Sequence, residues 1–276
     1  MKKILTELVL FFLIILLAST ASAFKVGGLP NPQSVIVDPV TGVYYISGHS
    51  ESTGFIWKVD KTGKRETFIE GGKNGIALSS PNGMALSGDQ LYVADEKTIR
   101  RFNKTTGTSS GIIDLLGIGG SKLQGLTFGN DGQLFATDGL RNSIYKIDTL
   151  NKFNVSILVK SSRLSSPAGI TFDIPRNRLI VLGRNRISTV SLEGQVASLI
   201  NGTFQDLAGV GWDRQGDLLV SDRGAGKIYR IRNFSISEMV RKNILTPAGI
   251  FFDYTQNQIL IPSTKGKLVF SVPLKQ

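Results

Sequence analysis

From Phe24 onward apolar and polar positions alternate in short runs separated by glycine-bearing turns, and no stretch carries the 3.6-residue spacing of an amphipathic helix. Residues 126–159 show the pattern in full: Leu126-Thr127-Phe128, the turn Asn130-Asp131-Gly132, Leu134-Phe135-Ala136-Thr137, Ile144-Tyr145-Lys146-Ile147, and Val155 to Val159. Each run predicts a short strand. The Asp-Gly pair supplies the positive backbone dihedrals of a tight hairpin. Gly42, Gly88 and Gly216 hold the corresponding place elsewhere, and Gly63, Gly107 and Gly194 mark a second set of turns.

The lead-in to the first strand of each group recurs. LSSPNGMALS at 78–87, LSSPAGITFD at 164–173 and LTPAGIFFD at 245–253 are three versions of it. With Ser34, Gly83, Gly125, Gly169, Gly209 and Gly249 as anchors, the intervals are 49, 42, 44, 40 and 40 residues. Six units of four strands at this period predict an all-β fold, a six-bladed β-propeller of four-stranded blades. The last copy offers Ile250-Phe251-Phe252, Ile259-Leu260-Ile261 and Leu268 to Val272, with no fourth strand after them. Phe24-Lys25-Val26-Gly27-Gly28 resembles the fourth-strand segment Thr67-Phe68-Ile69-Glu70-Gly71-Gly72, so the N-terminal strand of the mature chain is expected to complete the sixth blade. Closure of that kind leaves no sheet edge exposed at the seam.

Residues 1–23 follow a different pattern. Lys2 and Lys3 precede an uncharged apolar run from Leu8 to Ala18, and Ala21-Ser22-Ala23 ends the polar stretch after it. This is the form of a secretory signal peptide, with cleavage expected before Phe24. The apolar run is about half the roughly 20 residues that a membrane-spanning helix needs. The expected organisation is therefore a signal peptide at 1–23 and one propeller at 24–276, in a periplasmic or secreted protein whose mature form has no transmembrane segment.

Export changes how the charge is read. The formal net charge is +11, and loss of Lys2, Lys3 and Glu7 with the signal leaves +10 on 253 residues. In the cytoplasm such a balance points to nucleic acid, but an exported chain meets anionic head groups, acidic glycans and wall polymers first. The expected partner is a small polar or anionic ligand, or an envelope polyanion, and no nucleic acid. The arginines of Tyr229-Arg230-Ile231-Arg232 and Arg184-Asn185-Arg186-Ile187 alternate at strand spacing, which predicts solvent-facing positions on outer strands. The absence of cysteine excludes a disulfide scaffold, a thiolate metal site and thiol catalysis. His49 is the single histidine, which excludes a paired-histidine lyase or a multi-histidine metal centre. A Ser-His-Asp triad through Ser47 or Ser50 lacks any nucleophile elbow around it.

Pro81-Asn82-Gly83, the run Leu91-Tyr92-Val93-Ala94-Asp95 followed by Ile99-Arg100-Arg101-Phe102, and the echoes Leu134-Phe135-Ala136-Thr137-Asp138 and Leu218-Leu219-Val220-Ser221-Asp222 resemble the senescence marker protein/gluconolactonase family, including its exported bacterial members. NHL-repeat proteins have a similar architecture. The resemblance covers essentially all of residues 24–276. It implies a six-bladed propeller and a divalent metal at one mouth of the central channel, held by a Glu, an Asn and an Asp at the starts of innermost strands.

The positions that match those ligands are Gln33, Asn82, Gln124, Ala168, Ala208 and Ala248, none of them a carboxylate. A hard cation wants several anionic oxygens to offset its dehydration. The leading expectation is thus a ligand-binding mouth with no cofactor. The alternative is a lactonase or ester hydrolase using calcium or zinc, with Asn82 and Gln124 as ligands and Asp206 or Asp138 supplying charge and a base. The second strands end at the same mouth, bringing Asp95, Asp138 and Asp222 and the loops that carry His49, Arg141, Arg184 and Arg223. The candidate ligand-binding set is Gln33, His49, Asn82, Asp95, Gln124, Asp138, Arg184, Asp206 and Asp222.

Overall fold

The computed structural model describes residues 24–202 and 204–274; residues 1–23, expected to be a signal peptide, lie outside the described residues. The described strands form six antiparallel four-stranded sheets. In each of the first five, consecutive strands pair in chain order from the axis outward, starting with Pro32–Val37, Pro81–Ser87, Leu123–Phe128, Ile170–Asp173 and Leu207–Trp212. The sixth sheet combines Phe251–Asp253, Gln258–Ser263 and Leu268–Pro273 with Lys25–Gly27 on its outer edge. Lys25 lies opposite Phe270 and Gly27 opposite Leu268. Phe24 extends the seam, its N–H donating to Ser271 Oγ at 3.0 Å while its carbonyl accepts from Ser271 N at 2.8 Å. The expected closure of the last blade by the N-terminal strand is therefore what the chain adopts.

The core is divided into six wedges between neighbouring blades. Tyr92 and Ile99 of blade 2 pack with Leu126 and Leu134 of blade 3, and each later interface repeats the arrangement. The wedge that shuts the ring joins Leu260 and Val269 of blade 6 to Val35, Tyr44 and Ile46 of blade 1. Because apolar burial supplies most of the driving force for folding, a cysteine-free chain holds its ring through these wedges.

Backbone packs directly against backbone around the axis. A Cβ built on Gly83 would lie 2.5 Å from Gln124 O, and one on Gly209 would lie 2.3 Å from Ile250 N. The repeated anchor glycine thus reflects the close approach of adjacent innermost strands rather than turn geometry, since neither residue has positive φ. Hydroxyl groups fasten alternate blade pairs just outside this ring. Ser47 Oγ donates to Asn82 O at 2.6 Å, Thr137 Oγ1 to Ala168 O at 2.6 Å, and Ser221 Oγ to Ala248 O at 2.7 Å.

Pro32 faces Gly48 as Pro81 faces Asp95, so blade 1 has a glycine where blade 2 has that aspartate, and Ser47 corresponds to Ala94, Thr137 and Ser221. One sequence expectation needs correction: Arg230, expected at the surface, is 2% exposed. Its Nε sits 2.7 Å from Asp213 and 3.0 Å from Asp217, so a buried strand position holds a charge paired with the first turn of its own blade. Arg232, two residues on, is half exposed as expected.

Candidate functional site

The innermost strands enclose an axial cavity of about 440 Å³. Gln33, Asn82, Gln124, Ala168, Ala208 and Ala248 all line it, one from the start of each strand. The structure therefore gathers the three amides predicted from blades 1, 2 and 3 on one side of the mouth and three methyl groups from blades 4, 5 and 6 on the other. Ser34 and the anchor glycines come next, and two residues further along stand Thr127, Thr171 and Phe251. The far end is lined by Pro39, Trp212 and Tyr254. Tyr254 donates to Trp212 O at 2.9 Å, and burial, reinforced by Asp213, raises its phenol above the usual range.

The amides differ in what they already do. Asn82 Nδ2 donates to Ser80 O and to Leu123 O, both at 3.2 Å, which ties blade 2 to blade 3 and leaves Oδ1 without a partner among the described residues. Gln33 Nε2 makes one long bond, 3.3 Å, to Asn31 O. The Gln124 side chain makes none among the described residues, so it is the least committed group of the mouth.

Asp206 is placed close by. Its carboxylate meets Arg223 Nε at 2.7 Å, both side chains being part exposed, and Arg223 itself lines the cavity. Arg184 and Arg141 sit on exposed loops over blades 4 and 3, with no side-chain acceptor among the described residues, and neither lines the cavity. His49 ends the second strand of blade 1. Its Nε2 lies 2.7 Å from Asn31 Nδ2, and its Nδ1 is enclosed with no partner among the described residues. It too stands off the cavity wall.

Asp95, Asp138 and Asp222 differ from the expectation that they line a pocket. They are 2%, 0% and 0% exposed and none belongs to the cavity wall. Asp95 accepts from Ser79 N and Ser80 N and pairs with Arg100 at 2.6 Å. Asp138 accepts from the amides of Ser121, Leu140 and Arg141, and Asp222 from those of Gln205, Asp206 and Ala225. A carboxylate at the end of a second strand is close to two loops full of unpaired amides, and it satisfies both. These residues fix the loops that carry Arg141, Asp206 and Arg223 without facing a ligand.

Sequence reasoning missed Thr127, Thr171 and Phe251 within the channel and Trp212 and Tyr254 at its far end. The period-two alternation from each anchor would have found the first three.

The donors do not suit a divalent cation. Three amides and three methyl groups make up the mouth ring, the one nearby carboxylate is paired with Arg223, and Asp138 is fully engaged by amides. Among the described residues no three His, Asp or Glu side chains converge in a way that could hold a metal ion. No helix among them is long and apolar enough to cross a membrane.

No protein-family model and no curated protein matches the chain. Solved structures do. Virginiamycin B lyase from Staphylococcus aureus superposes with a TM-score of 0.67 at 18% identity over 92% of this chain and 99% of the lyase; a catalytically inactive histidine-to-alanine variant of that lyase has been solved with quinupristin. Regucalcin from Agrobacterium tumefaciens, described as a calcium-binding protein, gives 0.70 at 14% identity over 88% and 90% of the two chains. A luciferin-regenerating enzyme gives 0.71 at 13% over 92% and 96%. The chain thus shares the six-bladed fold of senescence marker protein/gluconolactonase-like and virginiamycin B lyase propellers.

Proposed function

We propose that this is an exported propeller that binds a small polar ligand in the axial cavity, through the amides of Gln33, Asn82 and Gln124 and without a metal centre. The observation that carries the reading is a preformed axial cavity whose mouth carries three amides with free hydrogen-bonding capacity, that of Gln124 wholly uncommitted among the described residues. Binding sites combine an apolar wall with a few directed polar groups in this way. Amides offer both donors and acceptors, so they suit hydroxyl and carbonyl groups. The Arg223–Asp206 pair at the rim offers one more of each. Each hydrogen bond contributes about 0.5–1.5 kcal/mol net, and three or four of them give specificity more than tight binding.

The activities of the similar structures do not carry over through the residues present. The calcium binding described for regucalcin needs anionic oxygens that this mouth lacks. A chelator-sensitive lactonase would need Asp206 or Asp138 as its base, and both are engaged elsewhere. The lyase is inactivated by a histidine-to-alanine change, and the one histidine here, His49, lies off the cavity wall.

A thermal-shift screen of sugars, polyols and lactones against protein held in chelator tests the reading. A compound of this class should raise the melting temperature, and the Asn82→Ala/Gln124→Ala double variant should abolish that rise. A gain of several degrees from calcium or zinc alone overturns it, as does lactone hydrolysis that chelator abolishes.

A further inference from the structure

A second cleft lies on blade 4, away from the axis. It encloses about 360 Å³ and is lined by Arg163, Arg186, Ser188, Ser198 and Asn201 among others. The third strand of the blade, Arg186–Ser191, and the outermost, Val196–Asn201, form its floor. Arg186 pairs with Asn201 and Ser188 with Ser198, a bulge after Ile187 offsetting the two pairs. Arg163 comes from the short turn Ser162–Leu164 that connects blade 3 to blade 4.

No acidic residue lines this cleft. Arg186 Nε is closed off from solvent with no partner among the described residues, and the Arg163 side chain likewise has none. Several other arginines face a carboxylate, Arg100 with Asp95, Arg178 with Asp173 and Arg223 with Asp206, while Arg141 and Arg184 stand on exposed loops rather than in a cleft. An enclosed charged donor left unpaired costs more than a neutral one, and such a group marks a site whose acceptor comes from outside. Ser188 is 2% exposed. Ser198 Oγ donates to Asn201 Oδ1 at 2.8 Å, which leaves the Asn201 NH₂ free to donate. The uncommitted groups are thus donors: two guanidinium forks, a hydroxyl and an amide NH₂.

We propose that this cleft binds a phosphate monoester, its terminal oxygens held between Arg163 and Arg186 and its organic part in the remaining volume. Guanidinium forks match phosphate oxygens two at a time. The donors outnumber what one carboxylate can use. The site is separate from the channel mouth and does not depend on what the mouth binds.

Titration calorimetry with inorganic phosphate and with glycerol 1-phosphate, at constant ionic strength, tests the assignment. Saturable binding is expected, weakened about ten- to a hundred-fold in Arg186→Gln and in Arg163→Gln, the loss of one charge-assisted bond. Arg186→Lys keeps the charge and loses the fork, so it should fall between. Gln124→Ala, in the mouth, should bind inorganic phosphate as the wild type does. Arg163 is exposed on its turn, so that variant keeps the test open if Arg186→Gln does not fold. Phosphatidylcholine vesicles doped with phosphatidic acid form a parallel arm, and binding confined to them assigns the same chemistry to a lipid headgroup. No saturable response in either arm overturns the proposal. So does undiminished binding in both arginine variants, or loss of binding in Gln124→Ala.

Discussion

The two ends of the channel are built from the same six strands and treat their polar groups in opposite ways. Where the innermost strands finish, Asp38, Asp173, Asp213 and Asp253 are all buried and all occupied. Asp38 accepts from Val40 N and Thr41 Oγ1 and meets Lys104 Nζ at 3.0 Å. Burial pushes its carboxyl up, yet the hydrogen bonds from Lys104 and the turn outweigh that and hold it below the usual range. Asp253 takes Thr255 N, Gln256 N, Gln258 Nε2 and the Tyr44 hydroxyl. Where the strands begin, the ring positions are amides and methyl groups, and Gln124 touches no partner among the described residues. Charge at the finishing end holds the hairpins and blades together. At the starting end Asp95, Asp138 and Asp222 hold their loops in the same way, and it is the ring itself, Gln124 above all, that is left for a ligand.

Breaking the finishing end should produce the largest effect. Asp213→Ala strands Arg230, whose side chain is 3% exposed, with only part of its acceptor set. Removing one partner of a buried pair costs about 3–5 kcal/mol, read as a lower urea midpoint. A loss below about 1 kcal/mol would show that this end is no more dependent on its charges than a solvated surface is.

Tyr44 tests the same end through pH. Burial, then the charge of Asp253 and the hydrogen bond to it, push its phenol up to about 12 from 10.0. Tyr45, buried one position along, is raised to about 12 as well. A group that keeps its proton longer when folded makes stability present below pH 10 and lost as pH rises toward 12. Tyr44→Phe should therefore flatten the alkaline fall in stability between those limits, at a loss of about 1–2 kcal/mol at neutral pH from the hydrogen bond to a carboxylate. An unchanged slope in chemical denaturation across that window would sink the assignment.

The smallest effect belongs to the mouth. Gln124→Ala should leave the unfolding free energy within about 0.5 kcal/mol of wild type, as for a substitution away from any core or network. If it destabilised as much as Asp213→Ala, the contrast between the ends would be void and the amide would be structural.

Much of this was legible before any coordinates. Glycine lead-ins at a period near 40 predicted the blades, and the resemblance of residues 24–28 to 67–72 predicted which strand completes the ring. The amide ring of Gln33, Asn82 and Gln124 was also correctly gathered, because repeat position fixes distance from the axis. The second ring was less legible. Asp95, Asp138 and Asp222 share a repeat position with real proximity to the mouth, but proximity says nothing of which way a carboxylate turns, and the loop amides claim them. Arg230 and Arg232 read alike in sequence and share a strand face and the partner Asp217, yet differ in the fold, since Arg232 ends the strand at the surface while Arg230 lies deeper beside Asp213.

The sequence by itself determined architecture and closure, because period-two alternation and repeat spacing are properties of the chain alone. Tertiary structure alone decided which polar groups remain unsatisfied: the Gln124 amide in the mouth, Arg163 and Arg186 in the outer cleft. The physical reason is that a hydrogen bond's availability depends on every other donor and acceptor within about 3 Å, which spacing along the chain does not fix.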